Sequence, residues 1–225
     1  MSLILHLETA TKTCSVCLSQ NGNLLALKEE TTAEFSHAEN LNIFIEDILS
    51  KAGKKLHDLD AVAVSEGPGS YTGLRIGTSS AKGLAYALDI PVIAVNSLLS
   101  LAALNKTGHE LICPMFDARR MEVFAAAYNR SLKEIKATEA VIIDEHSFAD
   151  LLESNTVIFL GPGAMKCKQV IQHPNAFFDT TTLVSSTGMV HVAHEKFNQK
   201  DFVNLAYFEP FYLKDFVAGE KQNKG

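Results

Sequence analysis

Residues 60–73 read DAVAVSEGPGSYTG and join a short apolar stretch to a glycine-rich turn. The apolar run over 60–65 predicts a strand, and the pattern after the turn predicts a helix from about Thr72 to Leu88. Ser70 or Thr72 can cap this helix, because a side-chain oxygen there can accept a hydrogen bond from a free N–H group of the first turn. A strand that leads through a tight turn into a helix predicts an α/β protein.

The turn itself, GPGSYTG at 67–73, has two interpretations. Backbone N–H groups at the start of a helix can bind an anion, and glycine lets the backbone approach that anion closely. Alternatively, the glycines only supply the positive φ that a tight turn requires. The motif is neither a Walker A loop nor G-x-G-x-x-G, since no Gly-Lys-Ser/Thr follows and the third glycine comes one place late. The motif alone leaves both interpretations open.

The elements around this turn occur twice in the same order. The first half is predicted to contain strands at 3–8, 13–19, 23–29, 60–65 and 91–95, and helices at 36–53, 72–88 and 97–104. Asn21-Gly22 forms a hairpin turn, and Ser36 with Glu39 forms a capping box. The second half is predicted to contain strands at 111–117, 121–128, 139–143 and 156–160, and helices at 144–152, from 161–163 toward 171, and from Ser185 or Ser186 to 197.

A duplicated βββαβα unit is the architecture of the actin, hexokinase and Hsp70 superfamily, the ASKHA fold, in which a nucleotide lies between two lobes. We therefore predict an N-terminal lobe at 1–105, a C-terminal lobe at 106–217 and a frayed polar tail at 218–225. The repeat indicates the fold and does not by itself give the function.

The composition narrows the class of protein. The 225 residues are 47% hydrophobic and 20% charged, with a net charge of −6 and no Lys/Arg block, which argues against unaided binding to a nucleic-acid backbone. No signal peptide and no membrane-spanning stretch is visible, and the four cysteines are too few for a disulfide scaffold, so we expect a cytoplasmic protein without a membrane partner. Cys14 and Cys17 form C-x-x-C, but on a strand the two thiols point to opposite faces, which favours a structural role.

The helix after the turn carries an unusual number of small residues. Glycines inside a helix cost about 1 kcal/mol each relative to alanine, so close approach of a neighbour should offset that cost. The neighbour is either the protein's own first helix or a helix of another subunit. For the second case we predict a partner interface made of Leu41, Ile45, Ile48, Gly73, Ile76, Gly77, Ser80 and Leu84.

At this point the sequence resembles the TsaB (YeaZ) family. The resemblance rests on GPGSYTGLRIG followed by AKGLA at 81–85, on Ser36-His37, on Asp117-Ala118-Arg119, on Glu8-Thr9 and on the late Tyr212-Leu-Lys. It implies an accessory protein of tRNA N6-threonylcarbamoyladenosine formation. The implied partners are the catalytic paralogue TsaD and the ATPase TsaE, with a homodimer when the chain is alone and tRNA reached only through the complex.

The catalytic paralogue provides a test, because TsaD-like chains carry two metal-binding histidines at i and i+4 after the corresponding strand. Here Ser97 and Leu101 occupy those positions, and leucine cannot bind a metal. We therefore predict no metal site and no catalytic residues. His37 is expected to be structural or interfacial, His6 a core histidine, and His191 and His194 surface residues of the last helix, with Glu195 pointing elsewhere.

The expectation for a cofactor is that none is required and that adenine nucleotide binds weakly. Gly161, Gly163 and Asp117 match the places where relatives meet a nucleotide, although Asp117 could equally cap the following turn. Glu8 replaces the aspartate usual in the first phosphate-facing turn, which argues against metal–nucleotide binding there. A small-molecule kinase of the same fold is the alternative function, and a metallopeptidase is the weakest, because it would need the absent histidine pair.

Overall fold

The computed structural model describes residues 2–32 and 37–214, and it contains two five-stranded mixed sheets. The predicted cap Ser36 and the predicted tail at 218–225 lie outside the described residues. The strands are β1 Leu3–Glu8, β2 Thr13–Gln20, β3 Asn23–Thr31, β4 Ala61–Gly67, β5 Val92–Asn96, β6 Leu111–Asp117, β7 Glu122–Asn129, β8 Glu134–Ile142, β9 Val157–Leu160 and β10 Ala176–Asp179. The helices are α1 His37–Lys51, α2 Tyr71–Leu88, α3 Ser97–Ala103, α4 Ala149–Leu152, α5 Ala164–Lys168 and α6 Val190–Gln199.

The duplication predicted from the sequence is confirmed in the strand order. The first sheet runs β3-β2-β1-β4-β5, with the first three strands antiparallel and β4 and β5 parallel to β1. The second sheet runs β8-β7-β6-β9-β10 with the same directions. This is the two-lobed ASKHA fold.

Three elements of the second lobe differ from the prediction. Strand β8 begins at Glu134, five residues earlier than expected, because polar residues alternate on this exposed edge strand and hide the strand pattern. Asp144 does not cap a helix through Leu152; its carboxylate accepts from the N–H of His146 at 3.0 Å and from Ser147 Oγ at 2.9 Å and closes a turn, so only Ala149–Leu152 is helical. Strand β10 was missed because its apolar run is only three residues long and no residue of it is fully buried.

Two helices pack across the boundary that was predicted after residue 105, each on the sheet of the other half of the chain. Helix α3 packs Leu98 and Leu101 against Ile112 and Leu160 of the second sheet. Helix α6 returns to the first sheet, where Val192 and Ala193 pack on Ile4, Ala63 and Ile93. The remaining face of the first sheet is covered by α1 and α2. No helix among the residues described is long and apolar enough to cross a membrane.

Candidate functional site

The glycine-rich turn is packed against the protein's own chain. The N–H of Gly67 donates to Ser97 Oγ at 3.1 Å, and the N–H of Ser70 donates to the carbonyl of Ala10 at 2.7 Å. Gly67 has φ +120°, and a Cβ there would lie 2.4 Å from the carbonyl oxygen of Phe211. Ser70 caps α2 by accepting from the N–H of Gly73. Of the two interpretations, the geometry therefore favours the tight turn.

Two glycines of α2 pack against the loop after β1, and Gly73 also lies next to His37 at the start of α1. A Cβ at Gly73 would lie 2.1 Å from the carbonyl oxygen of Thr9, and one at Gly77 would lie 2.3 Å from Thr9 Oγ1. Both glycines are buried, which corrects the prediction that they contact a partner subunit. Gly83, in contrast, is exposed and has no atom within 4 Å of a Cβ position among the described residues.

The α1 residues of the predicted interface also belong to the interior. Leu41, Ile45 and Ile48 are at most 4% exposed and pack in the core between α1, α2 and the first sheet. They have no surface left for a partner, so this part of the prediction is corrected as well. Ile76, Ser80 and Leu84 remain half-exposed on α2.

The outward surface of α2 forms an open groove of about 750 Å³ next to the start of α1. We call it the α2 groove; it is lined by Ala38, Tyr71, Thr72, Arg75, Ile76, Ser79 and Ser80. The guanidinium of Arg75 lies 4.2 Å from the ring centroid of Tyr71, and its Nε donates to the hydroxyl of Tyr212 at 3.2 Å. The rings of Tyr71 and Tyr212 are 4.8 Å apart, so the C-terminal segment shapes one wall. Arg75 and Ser79 were missed from the sequence, although the helical period places them opposite the buried glycines.

The positions that carry metal-binding histidines in TsaD-like chains are filled by core residues here. Ser97 is buried and its Oγ accepts from the glycine-rich turn. Leu101 is 0% exposed, and its Cδ2 lies 2.5 Å from where a Cβ on Gly161 would be. Within residues 2–32 and 37–214, no group of three or more His, Cys, Asp or Glu is placed to hold a metal ion.

The residues predicted to meet a nucleotide are engaged within the second lobe. The N–H of Gly163 donates to the carbonyl of Met115 at 2.9 Å, and the N–H of Gly161 donates to that of Asp179 at 3.2 Å. Asp117 Oδ1 accepts from the N–H of Arg119 at 2.7 Å and pairs with Lys166 Nζ at 2.9 Å. Asp117 therefore caps the turn, which was one of its two predicted roles. The protein's own atoms thus occupy the N–H groups of Gly161 and Gly163 and the Oδ1 atom of Asp117, and the nucleotide role of these three residues stays a prediction.

Glu8 and His6 lie buried on β1. Burial raises the pKa of Glu8 to about 7, although its Oε1 accepts from the N–H of Ala10 at 2.7 Å. Burial lowers the pKa of His6 to about 3, and its Nε2 lies 2.7 Å from Ser19 Oγ, as expected of a core histidine. Because Glu8 is 0% exposed, its carboxylate cannot reach a phosphate or metal ion in solvent.

The three remaining histidines considered in the sequence analysis each lie next to a polar partner within the chain. His37 is buried and its Nε2 lies 2.7 Å from the carbonyl oxygen of Thr11. His191 pairs with Glu195 at 3.2 Å, which corrects the expectation that this glutamate points elsewhere. His194 is half-buried and lies 3.2 Å from Ser2 Oγ, so it is not a free surface residue.

Both cysteines of the C-x-x-C pair are buried, with Cys14 in the core under α1 and Cys17 on the face toward Ser186. The expectation that the two thiols point apart is therefore confirmed.

Comparison with known proteins gives the family. The model of the family described as "TsaD: tRNA N6-adenosine threonylcarbamoyltransferase" matches residues 30–221. The tRNA threonylcarbamoyladenosine biosynthesis protein TsaB of Escherichia coli is 33% identical over 97% of each chain. The chain belongs to the TsaB (YeaZ) family. The TsaB protein of Bacillus subtilis is 34% identical over 75% of each chain.

Solved structures agree with this family and with its fold. YeaZ from Pseudomonas aeruginosa superimposes with a TM-score of 0.80 at 30% identity, covering 95% of this chain and all of that chain. The activator of the 2-hydroxyisocaproyl-CoA dehydratase from Clostridium difficile shares the fold alone, with a TM-score of 0.51 at 10% identity over 90% of this chain and 98% of that chain.

Proposed function

We propose that this TsaB-family protein takes part in tRNA N6-threonylcarbamoyladenosine formation as a non-catalytic subunit that binds and activates a TsaD-like paralogue. The observation that carries the proposal is the pair Ser97 and Leu101, buried where the paralogue has its metal-binding histidines. Neither side chain can hold a catalytic metal, and the glycine-rich turn beside them is closed by Phe211. In this proposal the catalytic residues and the metal are those of the partner.

The α2 groove supports a role in binding. Ile76 and Ser80 lie half-buried in the groove while Thr72, Arg75 and Ser79 are exposed, so one half-buried apolar side chain is bordered by polar ones. Tyr86, further along α2, extends the surface with 83% of its area exposed. Exposed apolar residues beside a polar rim are typical of a protein–protein interface. We assign the paralogue to this surface, and a second copy of the chain when the paralogue is absent.

A charge in the α2 groove tests the assignment. Ser80→Arg places a long cation on the half-buried floor, and Ser79→Arg places one on the exposed rim. Gln199→Arg, at the exposed end of α6 on the other side of the first sheet, is the matched control. We expect the groove variants to keep the unfolding temperature of the wild type, to lose co-purification with the paralogue and to lose tRNA modification in a reconstituted reaction. If both groove variants bind and modify as the control does, the interface is elsewhere.

The remaining parts of the proposal concern partners and cofactors. We place an ATPase of the TsaE type in the same assembly, tRNA in contact through the complex, and the whole in the cytoplasm, with no cofactor required by this chain. The engaged N–H groups of Gly161 and Gly163 support at most weak nucleotide binding. Calorimetry of the isolated protein with Mg-ATP tests this: tight binding with turnover would favour the alternative of a small-molecule kinase.

A further inference from the structure

The turn between β6 and β7 holds two consecutive arginines in a conformation that side chains disfavour. Arg119 has φ +71° and Arg120 has φ +47°, both in the left-handed region. This region costs a non-glycine residue on the order of 1–2 kcal/mol, and glycine or asparagine would adopt it more cheaply. Such outliers persist where the surrounding structure imposes them, and they cluster at functional sites.

The surrounding structure does impose this conformation. Lys166, from α5, donates through Nζ to Asp117 Oδ1 at 2.9 Å, to the carbonyl of Arg120 at 2.8 Å and to that of Glu122 at 2.6 Å. The N–H of Arg119 donates to Asp117 Oδ1, and the N–H of Glu122 donates back to the carbonyl of Arg119 at 3.1 Å. The backbone of the turn is thus fixed both by Lys166 of α5 and by hydrogen bonds within the turn.

The side chains of Arg119 and Arg120 point away from this hydrogen-bonded turn without a polar partner among residues 2–32 and 37–214. Both arginines are exposed, and neither guanidinium has a hydrogen bond or ion pair with any residue in the described part of the chain. The neighbouring cations Lys166 and Lys214 are instead paired with Asp117 and Glu122. The two arginines therefore carry uncompensated positive charge on a protein whose net charge is −6.

This turn adjoins the α2 groove. Lys214 contacts Glu122 at the start of β7, and Tyr212, two residues earlier, bonds Arg75 in the groove. Direct contacts of the C-terminal segment thus join the α2 groove to the turn that carries the two arginines. A partner seated in the groove would lie beside this segment.

We propose that Arg119 and Arg120 bind phosphates of the tRNA backbone when the chain is in complex with its catalytic paralogue. This inference rests on the proposed function, and it names which residues of the chain contact tRNA. Arginine suits the role because its planar guanidinium binds phosphate through two parallel hydrogen bonds and keeps its charge. Because two arginines neutralise few phosphates, the isolated chain binds RNA weakly, and the paralogue supplies the rest of the surface.

The test uses the double variant Arg119→Gly/Arg120→Gly, with Arg119→Lys/Arg120→Lys as the charge-retaining control. Glycine adopts positive φ without strain, so the glycine variant should unfold at the same temperature as the wild type or higher. Co-purification with the paralogue comes first and should be unchanged. Affinity of the complex for an unmodified tRNA transcript should fall about tenfold or more at 0.1 M salt, and the slope of log K against log[salt] should become shallower by about 1–2. The lysine variant should keep most of the affinity and the slope.

The outcomes separate the two proposals. Unchanged tRNA affinity with an intact complex overturns the assignment of the arginines. Loss of the complex in the glycine variant also overturns it, since the arginines would then bind carboxylates of the partner protein. If the wild type itself does not bind the paralogue, the proposed function fails. In that case ultraviolet crosslinking of the isolated chain to the tRNA transcript at low salt tests whether the arginines contact tRNA. Equal crosslinking of the wild type and the glycine variant refutes the inference. A loss of crosslinking confined to the glycine variant supports it.

Discussion

The glycines of α2 give the sharpest prediction, because the same helix contains glycines in three environments. Gly73 faces a backbone oxygen, Gly77 faces the end of a side chain, and Gly83 faces open space. If the glycines serve internal packing, alanine should have opposite effects at the first and last of these positions. If they serve a partner, alanine should stabilise the isolated protein at all three, since it is the better helix former.

The magnitudes follow from the distances. A Cβ at Gly73 would lie 2.1 Å from the carbonyl oxygen of Thr9, so the helix and the loop after β1 must move apart by roughly 1 Å. That loop cannot move freely, because the carbonyl of Ala10 accepts from Ser70 at 2.7 Å. Overpacking of this kind costs about 1–3 kcal/mol, and we expect Gly73→Ala near the upper end. Gly77→Ala should cost less, because Thr9 Oγ1 can rotate away, and Gly83→Ala should stabilise by about 1 kcal/mol or less.

Thermal unfolding followed by circular dichroism measures the series. For a chain of this length each kcal/mol moves Tm by about 2–4 °C, so Gly73→Ala should unfold about 4–12 °C below the wild type. Gly83→Ala should unfold at most about 4 °C above it. Repeating the scans at two protein concentrations separates any contribution of a dimer, whose Tm depends on concentration. A Tm for Gly73→Ala equal to or above that of the wild type would refute the packing explanation.

Two further predictions concern buried titratable groups. Because burial raises the folded pKa of Glu8 from 4.5 to about 7, the folded state binds more protons than the unfolded state in that window, and the stability contributed by the protonated carboxyl is lost as pH rises through 7. Glu8→Gln should therefore raise Tm relative to the wild type more at pH 8 than at pH 5, by an amount equivalent to at most about 3 kcal/mol. The titration of His6 affects both proteins equally and cancels in this comparison. A Tm difference that is identical at both pH values would contradict the assignment. All four cysteines are buried, and burial raises the pKa of Cys14 to about 11 and that of Cys17 to about 12. At pH 8 the native protein should therefore react with Ellman's reagent only as fast as it unfolds. A rapidly reacting thiol would show that one of these sites is open.

The sequence was a good guide to the fold and a partial guide to the candidate site. The hairpin turn at Asn21-Gly22, the caps and the apolar periods are local signals, and each lies within the segment that it orders. The weak points were in the second lobe, where edge strands β8 and β10 are short or half-polar and the local signal fades. For the candidate site, the sequence pointed to Ile76 and Ser80, which line the α2 groove, whereas Arg75 and Tyr212 required the structure.

Residues 60–73 by themselves determined a strand, a tight turn and a capped helix, because glycine, serine and the apolar run specify these conformations locally. They did not determine which side of that helix is covered. That depended on Thr9, which is more than sixty positions away in the chain and lies against Gly73 and Gly77, and on Phe211, which closes the turn from the far end of the chain. Small residues permit another segment to approach closely, but they do not specify which segment it is. Only long-range packing decided that Gly73 and Gly77 face the protein's own loop after β1 and that Arg75, Ser79 and Tyr86 are exposed.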